Sequence, residues 1–239
     1  METSGAGFSS TRRILEELQQ EISGIGYVYR GYLASLVIGF VFAVIVAAAV
    51  LSASSVTGAV SATFAVSGVS ALVSAVVVVP LLYKGFRILA ARNMDYSIGV
   101  KGAMVLGAGD IVLGITLIIL ASTMPSGTRN PEKLASIITG DLIIIIGVGL
   151  IAFIGNIMLL IALWRLGGAH PEHGGDVVKT GLVLWIIGAF LRLLQVRLGG
   201  LLSLIGDLVI LYGLYRMITG LENVLSEKEY ELSRRGENP

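Results

Sequence analysis

The chain has 239 residues, of which 55% are hydrophobic and only 14% charged, with a formal net charge of +1. A soluble domain carries about a quarter charged residues, so this composition excludes a soluble enzyme and a disordered chain. The absence of cysteine excludes a disulfide scaffold, a thiolate metal site and a cysteine nucleophile, and the near-zero charge excludes bulk electrostatic binding of nucleic acid.

The first 30 residues are polar and lack a signal-like apolar core, so no cleaved secretory signal is expected. Within them, TRRILEELQQEIS predicts a short amphipathic helix with Ile14, Leu15, Leu18 and Ile22 on one face, lying at a membrane surface, against a partner, or in solvent. Long apolar runs then predict membrane-crossing helices, because backbone amides in lipid must be satisfied within the segment. The runs cover residues 32–53, 59–83, 102–124, 137–163, 180–196 and 198–218. The fold class is therefore all-α: a polytopic bundle of six transmembrane helices in residues 31–220. A cytoplasmic segment precedes it (1–30), and a tail of alternating charge that reads as a fraying helix end follows it (221–239). With six spans both termini share one side. Thirteen of the 17 basic residues fall there, and only Arg129, Lys133, Arg192 and Arg197 fall opposite, which assigns both termini to the cytoplasm.

A shift of 78 positions superposes Phe86-Arg87 on Trp164-Arg165 and Val100-Lys101 on Val178-Lys179, with 14 residues from arginine to lysine in each copy. Tyr215-Arg216 closes the sixth run with the same kind of pair. These pairs are expected to be interface anchors, the ring at head-group level and the guanidinium on lipid phosphate. The equal spacing suggests duplication of a two-span unit. The stretch YKGFRILAARNMDYSIGVKGAMVLGAGDIVLGITLIIL, followed by LWRLGG, VVKTGLVLWIIGAF and LLSLIGDLVILYGLYRMI, resembles an archaeal multi-pass membrane family known as domain of unknown function 973. The resemblance covers roughly residues 25–220. It implies an archaeal cell membrane, no assigned activity and no functional residues to carry over.

Three aspartates interrupt the apolar runs, each after a glycine: Asp110, Asp141 and Asp207. A carboxylate at mid-membrane costs about 2.5–3.5 kcal/mol on insertion scales, so each is a candidate ion or proton site. Asp141, about one turn from a helix end, also reads as an acid complementing the helix dipole. Folding the fifth run back on the sixth brings Arg192 within reach of Asp207, and an Arg192–Asp207 intramembrane pair would let both helices insert as a hairpin. In the second run Ser61, Thr63, Ser67, Ser70 and Ser74 read as a close-packing surface or as a hydroxyl-lined conduit, with Pro80 as a bend.

The histidines, His170 and His173 in AHPEHGGD, read as a solvated turn, since Pro171 and the glycines prevent helical i, i+4 chelation. Gly107-Ala108-Gly109-Asp110 spells the G-x-G-D of intramembrane aspartyl proteases, yet the Tyr-Asp that chemistry needs in a facing helix occurs nowhere in the chain. No catalytic residue, metal site or cofactor is expected. The expected partners are membrane lipids and either a membrane protein or a second copy of the chain, with no nucleic acid. The function expected is a structural or accessory membrane subunit, with a small ion- or proton-coupled transporter or channel as the alternative.

Overall fold

The computed structural model describes residues 4–124, 131–196 and 198–234, of which 4–11, 131–144 and 193 are described by backbone alone. Arg129, Arg197 and Arg235, and the side chains of Lys133 and Asp141, lie outside the described residues. Six α-helices follow one another: α1 Ser4–Ser52, α2 Val56–Arg92, α3 Ser97–Thr123, α4 Pro131–Ala169, α5 Gly175–Leu193 and α6 Leu198–Arg234. The described residues contain no strand.

The helix limits are set by polar devices that hydropathy does not register. At the start of α2, the Ser55 hydroxyl accepts the Gly58 backbone N–H at 3.1 Å, an N-cap. Between α2 and α3, the Asn93 side chain accepts the Asp95 N–H at 2.9 Å and closes a single 3-10 turn. Between α4 and α5, Pro171 opens another 3-10 turn that ends on Gly174 at φ +107°, a left-handed conformation that suits glycine. The turn after α5 has the two bonds of a Schellman motif, Val196 N–H to Leu191 C=O and Gln195 N–H to Arg192 C=O, both 2.9 Å. Its left-handed residue is Gln195, at φ +57°.

Each predicted run falls mainly in one helix, with residues 53, 124 and 194–196 beyond the helix ends, and most of the helices are longer than the runs. The predicted N-terminal helix is not separate: it continues into the first apolar run as one 49-residue helix. The tail does not fray at 221 either, since α6 remains helical to Arg234 and buries Leu221 and Leu232. Among the described residues, five helices are long and apolar enough to cross a membrane. The exception is α5, which carries Asp176, Lys179 and Arg192 within 19 residues.

The chain divides into two compact units. The first comprises Met1–Arg30, Lys84–Val100 and Leu160–Pro239. Its core holds Ile25, Val28, Phe86, Leu89, Leu163, Leu166, Val178, Leu182, Ile210, Leu214 and Met217, all essentially inaccessible. Glycines at seven-residue spacing, Gly181 and Gly188 on α5 and Gly199, Gly206 and Gly213 on α6, bring these two helices together. A Cβ on Gly206 would lie 2.6 Å from the Trp185 nitrogen, and one on Gly213 would lie 2.7 Å from the Val178 nitrogen. Only hydrogen fits, so the backbones approach as small-residue membrane pairs do.

The second unit comprises Gly31–Tyr83 and Lys101–Leu159. Within it α3 offers glycines to two neighbours. Gly107 and Gly114 meet α2 at Val79 and at Gly68 and Leu72, while Gly102 and Gly109 meet α4 at Gly155 and Ala152. Two of the α2 hydroxyls are bonded to helix carbonyls: Ser61 donates to the Ala121 carbonyl at 2.8 Å and Thr63 to the Ala59 carbonyl at 2.8 Å.

Candidate functional site

The aspartates of the apolar runs do not share one environment. Asp110 is buried, and the Ser74 hydroxyl of α2 lies within hydrogen-bonding reach of it. Gly109, directly before it, is the residue pressed on Ala152 of α4, which explains the Gly-Asp order: the glycine makes the helix contact. Gly206 plays the same part before Asp207. Asp141 lies in α4. Asp207 and Arg192 share the α5–α6 hairpin, but no salt bridge joins them among the described residues. Arg192 donates instead to the Gly200 carbonyl at 3.3 Å, and its charge reaches Asp207 only through space. The turn carbonyl captures the guanidinium first.

A polar cluster in the first unit was not expected. Glu21, on α1, accepts from Arg92 at the end of α2 through Oε2 and meets His170 Nε2 through Oε1 at 2.8 Å. Arg92 also donates to the Glu17 carbonyl at 3.2 Å. Glu21 side-chain exposure is 9% and that of His170 is 13%. Burial opposes ionisation of Glu21, yet the His170 hydrogen bond and charge, with the charge of Arg92, outweigh it and hold the carboxyl below its ordinary value. Nearby Tyr96 is buried, and desolvation together with the Glu21 charge pushes its phenol up. His170 is thus no solvated turn residue. His173 packs instead beside Gly220, and the described residues contain no group of acids and histidines that could hold a metal ion.

A sequence signal for this cluster existed. Glu21 lies at helical spacing among Leu18, Ile25 and Val28, an acid inside an apolar stripe, where burial demands a partner. That stripe packs within the chain: Gly24 and Val28 meet Gly85 and Leu89 of α2.

The aromatic–arginine pairs also differ among themselves. Phe86 is fully buried against Gly99, so the anchor expectation does not fit its ring. Trp164 and Tyr215 are about half exposed. Lys179 lies 5.8 Å from the Trp164 ring centroid. Arg165 donates to the Asp95 carbonyl at 3.0 Å, and Arg87 and Arg216 are exposed. A further pair escaped the sequence reading. Lys84 donates to the Tyr27 hydroxyl at 2.6 Å, and its hydrogen bond and charge lower that phenol's pKa.

With the described residues all helical or in turns, five of their helices long and apolar enough to cross a bilayer, and exposed apolar side chains along α1 and α4, this is a membrane-embedded, multi-pass protein. The chain belongs to the family described as Protein of unknown function (DUF973), whose family model matches residues 21–236. Comparison with curated proteins and with solved structures finds no match.

Proposed function

We propose that this protein is a structural or accessory subunit of the cell membrane, with six spans, both termini cytoplasmic and no catalytic activity, which associates through α1 with another membrane protein or a second copy. The observation that carries the reading is the state of α1: none of the 18 residues in its most apolar window is buried. Val37, Phe40, Val41 and Val44 are all exposed there, and Gly39 has open space where a Cβ would stand. The sixth span in this reading is α5, whose charged residues enter the bilayer beside α6. Because the chain has no cysteine, Phe40→Cys introduces a single thiol for cross-linking in native membranes. A discrete cross-linked species, and a stoichiometric band after mild extraction and native gel separation, are expected. Recovery of the chain alone, with no cross-link, would refute the accessory reading.

A second reading is supported by Asp110, a buried carboxylate with a serine hydroxyl beside it: a proton- or ion-coupled pathway that also uses Asp207 and Asp141. Proton flux in liposomes that is abolished by Asp110→Asn would select it.

A further inference from the structure

The first unit contains a cleft of about 480 Å³ between α1 and α6. Ser23, Tyr27, Tyr29 and Arg30 line one wall, and Tyr215 and Glu222 line the other. The volume lies in the range of small-molecule sites, roughly 300–1,000 Å³. Arg30 forms no salt bridge among the described residues. Its guanidinium carbon lies 5.8 Å from the Tyr27 ring centroid, and Lys84 Nζ lies 4.2 Å from the same centroid. Two cations therefore share one ring with no carboxylate paired to either. Their mutual repulsion is relieved by an anion, and the forked guanidinium suits phosphate oxygens.

The level of the cleft along the helices narrows the choice of anion. Arg30 immediately precedes the apolar run of α1, Lys84 immediately follows that of α2, and Tyr215 lies near the end of that of α6. Tyrosine and arginine at such a boundary meet lipid head groups, and basic pockets between membrane helices bind phosphorylated head groups. Glu222 supplies an acceptor for hydroxyls attached to the phosphate. We propose that this cleft binds the head group of a phospholipid, with its phosphate on Arg30 and its hydroxyl-bearing substituent toward Glu222, while Lys84, outside the lining but on the same Tyr27 ring, adds its charge. The site rests on the same membrane embedding as the proposed function.

The test is native mass spectrometry of the full chain in detergent, titrated separately with phosphatidylglycerol, phosphatidylcholine of the same chain length, and inorganic phosphate. Phosphatidylglycerol is expected to stay bound under activation that strips phosphatidylcholine. Arg30→Gln should lower the bound fraction about fivefold, the effect of one basic residue at a lipid surface, while Arg87→Gln, outside the cleft, should leave it unchanged. Should Arg30→Gln lose its fold, Lys84→Gln carries the same expectation. Equal retention of the two lipids, or full retention by the cleft variants, would overturn the assignment. So would inorganic phosphate binding alone and displacing the lipid, which would mark a soluble-phosphate site. Failure of membrane embedding itself would show separately, as release of the protein by an alkaline wash.

Discussion

The Glu21 carboxylate and the His170 imidazole meet at 2.8 Å across 149 positions of sequence, and Arg92 completes the contact from the end of α2. One buried acid thereby ties together the three separate stretches of the chain that make up the first unit.

Loss of this acid should weaken the fold in a pH-dependent way. The Glu21 carboxyl is held below the ordinary glutamate value of 4.5. It therefore contributes stability that is fully present above about pH 4.5 and is lost as pH falls through the folded value. Glu21→Gln should cost about 2 kcal/mol at pH 7, the scale of a hydrogen bond to a charged group. Thermal unfolding between pH 3 and 7 should show wild type converging on the variant at the acid end. Curves that stay parallel throughout would contradict the linkage.

Arg192 and Asp207 should couple weakly. With the guanidinium held by the Gly200 carbonyl, the double-mutant cycle Arg192→Gln with Asp207→Asn should give a coupling energy under about 1 kcal/mol. A coupling above about 3 kcal/mol would restore the direct pair.

Gln195 occupies a left-handed position at φ +57° that closes the Schellman turn. Gln195→Gly should raise stability by about 1 kcal/mol, because glycine carries no Cβ penalty there. A lowered melting temperature would mean that the Gln195 side chain makes a compensating contact.

The α5–α6 seam should tolerate no side chain at Gly206. With the Trp185 nitrogen 2.6 Å from the Cβ position, Gly206→Val should cost about 2 kcal/mol or more through overpacking. Gly147→Ala, at a position with open space, should change stability by less than about 0.5 kcal/mol. The two variants measured side by side separate helix contact from mere helix propensity.

The membrane helices were legible because lipid imposes a length and an apolar composition that can be read directly, as in the run containing Phe40, Val41 and Val44. Their water-side continuations were not. Hydropathy is silent about a helix that leaves the bilayer and stays helical, so the fusion of residues 4–30 with the first run and the extension of α6 past 220 had to come from packing, with Val28 on Gly85 and Leu232 buried. Asp110 was flagged by its cost in lipid. Glu21 was passed over because an acid in a polar helix looks ordinary until the apolar stripe around it is noticed. Helical reach places Arg192 and Asp207 near each other but does not say which acceptor the guanidinium takes, here the Gly200 carbonyl. Hydropathy likewise does not weigh the glycines, whose seven-residue spacing marks the helix faces in contact.

That spacing on α3 limits how the sequence can drift. Gly102 and Gly109 face one neighbour while Gly107 and Gly114 face another. Inserting or deleting a single residue between the pairs rotates everything beyond it by about 100° and carries one glycine set off its partner. Lineages of this family should therefore vary freely in outward-facing side chains and in the joints between helices, yet keep the residue count of α3 fixed, so that length and not identity is its strictest inherited property.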